Sequence, residues 1–163
     1  MSINRVAKFG IVVDNMGRND LTLSILNNLN RVMATDPLLS PTVFSLEVAP
    51  ALSVIPCPVM SFNEIWCFTY DVLVTSYSAA KALLNVPGPK KLFFYLHELP
   101  TVTKQNYFEI REVICNPRFT LLCRSQLHSD ILRSNYGRKN IEVISEGEML
   151  DLLLGIEKEV INA

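Results

Sequence analysis

With 163 residues, 49% of them hydrophobic and 19% charged, the chain can bury a continuous core and is too apolar to remain disordered. Fifteen basic residues against sixteen acidic ones leave a net charge of −1, so no global field attracts nucleic acid or an anionic membrane, and neither is expected as a partner. The apolar stretch near the N-terminus is interrupted at Asp14 and Asn15, too early for a secretory signal or a membrane span, and a cytoplasmic location is expected.

In chain order, strand-like and helix-like patterns alternate. Phe9 to Asp14 is a short β-branched run, and after a polar loop Leu21, Ile25, Leu29, Val32 and Met33 recur at helical spacing, with Asn19 or Asp20 able to cap that helix. A second strand is expected over Pro41 to Val48, and a proline-punctuated connection holds a short third one near Val59 to Phe62. Trp66, just beyond, reads as a packing residue. Tyr70 to Ser76 forms a buried strand, Ser78 to Val86 a short helix ended by Pro87 and Gly88, and Lys91 to His97 the next strand. Tyr107 to Cys115 is helical, Arg118 to Ser125 a strand, Gln126 to Gly137 a helix closed by its glycine, Asn140 to Ser145 the last strand, and Glu148 to Val160 a terminal helix.

Strands that are apolar throughout need cover on both faces, which strand-helix alternation supplies. The expected fold is therefore α/β: a single domain over residues 1–163, with a doubly wound, mainly parallel sheet of about six or seven strands and helices on both faces, Rossmann-like. The four cysteines, Cys57, Cys67, Cys115 and Cys123, lack CxxC or His-paired spacing and are expected to be buried free thiols, with no metal site.

In such a sheet ligands bind beyond the carboxyl ends of the strands. The ends expected there are Asp14-Asn15 with Gly17-Arg18-Asn19, Ser76-Tyr77, His97-Glu98, Arg124-Ser125 and Glu146-Gly147. The first loop is either a polar turn with a helix cap or a loop whose amides and Arg18 face an anionic or hydroxyl-rich ligand. Neither GxGxxG nor GxxxxGK[ST] occurs, which argues against dinucleotide and P-loop chemistry, and no cofactor is expected. His97 is the candidate general base or hydroxyl binder, with Glu98 beside it, although adjacent residues of an extended strand face opposite ways unless the backbone turns. Arg124 and Ser125 can bind an anion, and Ser125 is equally a helix cap; His128 reads as a surface residue. Ser125, His128 and Asp130 lack the GxSxG elbow and are rejected as a triad.

The succession YDVLVTSYSAAKAL, KKLFFYLHEL and FTLLCRSQLHSDILRSNYGRKNIEVISEG resembles the N-terminal Rossmann-like domain of GT-B glycosyltransferases of the retaining group 4 type. His97-Glu98 stands at that family's histidine-acid pair and Ser125 at its strand-terminal serine, over roughly residues 70 to 150. The PGPKKLFFY segment is similar to short glycosyltransferase-like proteins of large tailed bacteriophages and marine metagenomes. Ser145-Glu146-Gly147 departs from the family's asparagine-glycine pair.

The resemblance implies an acceptor-side half that holds a sugar or other hydroxyl-rich acceptor and lacks the second GT-B domain, which in the family carries the nucleotide-sugar site. Sugar transfer would then need a separate donor-binding subunit. The rival expectations are a non-catalytic interaction module or homodimer on the same fold, and a small nucleotide-binding, flavodoxin-like protein.

Overall fold

The computed structural model describes residues 7–16, 20–35, 38–47, 55 and 57–144. The terminal helix expected from Glu148 lies outside them. The elements are β1 (Ala7–Val13), α1 (Asp20–Thr35), β2 (Leu39–Ser45), β3 (Val59–Ser61), a 3₁₀ helix (Phe62–Cys67), β4 (Asp71–Val74), α2 (Tyr77–Leu83), β5 (Leu92–Leu96), α3 (Tyr107–Cys115), β6 (Phe119–Cys123), α4 (Gln126–Tyr136) and β7 (Ile141–Val143). The strands form one sheet in the order β3-β2-β1-β4-β5-β6-β7, and every neighbouring pair is parallel. The fold is thus the expected open α/β sheet.

The first six positions reproduce the dinucleotide-fold order 3-2-1-4-5-6, in which the chain reverses direction between β1 and β4; a flavodoxin-like sheet would run 2-1-3-4-5.

Each strand feeds two cores because its side chains alternate. Val12, Phe44, Val72, Val74, Phe94, Leu121 and Cys123 pack with Ala79, Ala80 and Leu83 of α2, Ile110, Val113 and Ile114 of α3, and Leu132 of α4. Ile11, Val13, Val43, Leu73, Tyr95 and Leu122 point the other way and pack with Ile25, Leu26, Leu29 and Val32 of α1. The 25, 29, 32 spacing is what places those three residues on one helical stripe.

Pro41 sits inside β2, although proline cannot donate to a ladder. It is accommodated because, among the described residues, β3 pairs only with Val43 to Ser45 and no strand flanks the outer side of β2 at Pro41.

The helix ends are closed by specific groups. The Ser76 hydroxyl accepts from the Ala79 amide (3.1 Å) at the start of α2. Arg118 donates to the carbonyls of Leu83 (3.3 Å), Leu84 (2.9 Å) and Val86 (2.6 Å) at its other end. Arg138 does the same for Cys115 (3.3 Å) and Phe119 beyond α3. Gly137 closes α4 in the left-handed region, with φ 67°.

Two expectations are corrected. Trp66 is 55% exposed rather than packed, because the tight 3₁₀ turn puts Ile65 into the core and rotates the next side chain outward. Of the four free thiols only Cys123 is buried; Cys57 and Cys115 are half-buried, and Cys67 is exposed at the end of the same 3₁₀ turn. Burial pushes the Cys57 thiol up to about 11 and raises that of Cys123, so neither is a ready thiolate.

Gly88 fixes the loop before β5. A side chain there would place its Cβ 2.7 Å from the Trp66 carbonyl oxygen and 2.8 Å from that of Phe68, so backbone would have to move. Gly88→Ala is expected to destabilise the protein by about 1–3 kcal/mol. An unchanged urea midpoint would show that the loop yields instead.

Candidate functional site

At the reversal between β1 and β4 the strand ends are tied together beyond their last residues. The Thr75 amide and hydroxyl both donate to the Val12 carbonyl (3.2 and 2.9 Å), and the Glu47 amide donates to the Asp14 carbonyl (2.8 Å). Asp14 follows directly from β1, and its Oδ1 accepts from the hydroxyls of Ser76 and Ser78, the latter at 3.1 Å. Both bonds use one carboxylate oxygen. Among the described residues Oδ2 takes no bond, which leaves an acceptor for a ligand hydroxyl.

A cleft of about 550 Å³ opens at this point. Asp14 and Asp20 line it from the β1 side, Thr75, Ser76 and Tyr77 from the end of β4, and the segment from Phe94 to Thr101 from β5 and its exit loop. This is where an open α/β sheet of this order accommodates small molecules.

The two residues at the end of β5 both reach the cleft because the backbone bends at His97 and Glu98 instead of continuing as a strand. Until that bend, alternation governs. Tyr95 faces the α1 core while Phe94 and Leu96 face the other, so His97 emerges on the side of Tyr95, and the two rings lie 6.3 Å apart.

The same counting places Arg124. Leu96 pairs with Cys123, so one residue further on His97 and Arg124 are neighbours, and Leu122 marks their common face. Arg124 Nη1 lies 3.5 Å from His97 Nε2.

Ser125 caps α4, its hydroxyl accepting from the His128 amide (3.3 Å). The cap explains its position without a ligand, and Ser125 does not line the cleft. His128 is half-buried rather than a free surface residue. Its imidazole is held below the ordinary histidine value, first by burial and then by the positive fields of Arg124 and His97, with Glu98 opposing. Spacing carried a signal for this: the third helical residue after a cap lies over the turn that precedes it, hence over the strand ends.

Of the other expected residues, Asn15 sits half-buried in the bend after β1, outside the cleft lining. Tyr77 lines the cleft, but its hydroxyl is buried without a partner among the described residues. Burial raises its phenol, Lys81 opposes this, and Glu109 and Glu112 add to it, so its polar end belongs to the α2–α3 side. Gly17, Arg18, Asn19, Glu146 and Gly147 lie outside the described residues. Ser78 and Asp20 also belong to the site; the sequence offered Asp20 only as a helix cap and Ser78 only as part of the end of the fourth strand.

Among the described residues no three His, Cys, Asp or Glu side chains are grouped to hold a metal ion, and no helix is long and apolar enough to cross a membrane. Comparison with known protein families and with curated proteins finds no match.

Removing the tie between β1 and β4 tests the site's architecture. Ser76→Ala deletes both the α2 cap and a hydrogen bond to Asp14, and is expected to cost about 1–3 kcal/mol. Ser78→Ala deletes only an exposed bond and should stay within about 0.5 kcal/mol of the parent in urea unfolding. Equal effects of the two would contradict the geometry.

Proposed function

We propose that the chain is the acceptor-side half of a GT-B-like glycosyltransferase, holding a hydroxyl-rich acceptor in the cleft at the β1/β4 reversal. The observation that carries this reading is the bend after β5, which turns His97 and Glu98 together into a cleft already lined by Asp14 and Ser76. Asp14 and Ser76 would orient the acceptor by its hydroxyls, and His97 would take the proton from the attacking one. Among the described residues the cleft presents hydroxyl acceptors and one base; on this reading the donor is brought by another polypeptide and the two are held in one desolvated cleft.

The test is sugar transfer from UDP- and GDP-sugars by the purified chain, alone and with the product of the neighbouring reading frame. Transfer only in the second case is expected. No transfer in either case, with no sugar binding to the chain, would overturn the reading.

A second reading, a homodimer, has its own support. Among the described residues the outer edge of β3 has no partner strand, its three residues are all exposed, and Val59, Met60 and Trp66 expose 46%, 41% and 55% of their surface. Two such edges can pair about a two-fold axis. Sedimentation velocity at several concentrations decides it: a concentration-independent monomer removes this reading.

A further inference from the structure

The cleft is not lined uniformly. Toward β1 it presents Asp14, Asp20 and Ser76, together with Leu21. Toward the exit of β5, beside His97 and Glu98, it is lined by Phe94, Leu96, Leu99 and Pro100. Phe94 and Leu96 belong to the core on the α2 side of the sheet, and Leu99 and Tyr77 pack against that same core. These apolar lining residues therefore stand together on one side of the cleft instead of being scattered around it.

Tyr77 belongs to this wall through its ring. Its hydroxyl is buried, and its phenol answers to Lys81, Glu109 and Glu112 on the α2–α3 side, so the part of Tyr77 that reaches the cleft carries no hydroxyl. Leu99 and Pro100 are half-buried, and Val102, next to the lining residue Thr101, is exposed. Covering such surface is favourable in proportion to the apolar area removed from water. A free hexose carries hydroxyls around its rim and cannot cover it without leaving some of them unpaired.

The wall is also held before any ligand arrives. Asn106, at the start of α3, donates from Nδ2 to the Thr101 carbonyl (2.9 Å), and its Oδ1 accepts from the Thr103 amide (2.7 Å). The Asn106 amide in turn donates to the Thr103 hydroxyl (3.3 Å). The exit loop of β5 is thus fastened to a helix, and a preorganised surface loses little freedom on binding. The cleft volume of about 550 Å³ lies in the range that takes a drug-sized ligand, more than one sugar ring needs.

We infer that the acceptor is an amphipathic glycoside, whose sugar hydroxyls are held at Asp14 and Ser76 and whose apolar aglycone lies against Tyr77, Leu99 and Pro100. The inference rests on the acceptor reading of the same cleft and adds the class of molecule that fills it.

The experiment titrates the full chain with the methyl and the phenyl glycosides of glucose, galactose and mannose, read by amide chemical shifts. For the sugar that binds, the phenyl glycoside is expected to bind roughly 5- to 50-fold more tightly than the methyl one. Both should shift Asp14, Thr75 and Ser76, and the phenyl glycoside should add larger shifts at Tyr77, Leu99 and Thr101. Leu99→Ala should lower the phenyl-to-methyl affinity ratio roughly 3- to 10-fold, and Leu99→Met should restore it. The ratio is taken within one variant, so partial unfolding, which weakens both ligands alike, does not move it.

Equal affinities with the Asp14 and Ser76 shifts intact, or an unchanged ratio in Leu99→Ala, overturn the apolar aglycone and leave the acceptor reading standing. Phenol alone binding as tightly as the phenyl glycoside overturns the amphipathic ligand, because the sugar would then contribute nothing. Failure of every glycoside to bind overturns the acceptor reading and the inference with it.

Discussion

His97→Ala is expected to lower sugar transfer, measured with the donor-binding partner present, by roughly 10²- to 10⁴-fold, the usual contribution of a positioned general base. The expectation has a geometric origin. His97 lies one residue past the last ladder residue of β5, on the face set by Tyr95 and beside Arg124, and the bend there turns both it and Glu98 into the cleft. It belongs to neither buried cluster, so its loss should leave the urea midpoint nearly unchanged. A rate defect with intact stability separates a chemical role from a structural one. If transfer proceeds at the parental rate in His97→Ala, the imidazole is not the base, whatever the cleft binds.

Phe44→Ala should produce the largest loss of stability, about 3–5 kcal/mol, because a fully buried aromatic leaves a cavity in a rigid sheet. Phe44 is completely buried on β2 and meets Phe68 edge to face, with ring centroids 5.1 Å apart. Against a total stability of about 5–15 kcal/mol, such a loss leaves a marginal protein. Gly10 is the third member of this packing. A Cβ at Gly10 would lie 2.9 Å from Phe68 Cε1, 3.1 Å from Val72 Cγ2 and 3.2 Å from Phe44 Cε2. Gly10→Ala is therefore destabilising in the parent and less so beside Phe44→Ala, where the methyl group has room. A coupling of about 0.5–3 kcal/mol is expected from the double-mutant cycle in urea. Strict additivity would mean that Gly10 is not there to seat the two rings.

These effects follow from features that differ in how plainly the sequence displays them. The parallel sheet was legible because runs such as DVLV and LFFYL are apolar throughout, and only strands covered on both faces read that way. Tyr107–Cys115 and the Gly137 stop were legible from helical spacing and from the one residue that takes positive φ without cost. Trp66 and Cys67 were misplaced because a 3₁₀ turn has no period long enough to register as a pattern, and its neighbours point in unrelated directions.

At the site, sequence order indicated which residues end strands, and hence that Asp14, Ser76, His97 and Arg124 share one edge. It could not show that His97 and Arg124 are neighbours. That depends on the β5/β6 register, Leu96 against Cys123, which no local pattern encodes. His128 was only partly legible: its spacing from the Ser125 cap places it over the strand ends near Arg124, whereas the proximity of His97 depends on that same register. The hydroxyl pair on Asp14 spans the β1/β4 reversal, over separations of 62 and 64 residues, and is a product of topology alone.

If the reading is right, the cleft at this reversal is where the molecule binds its ligand. The decisive measurement is amide chemical-shift mapping of the full chain titrated with neutral hexoses. The largest shifts are expected at Asp14, Thr75, Ser76 and the segment from His97 to Thr101. Shifts confined to the β3 edge around Met60 and Trp66, with the residues of the cleft unmoved, would contradict it.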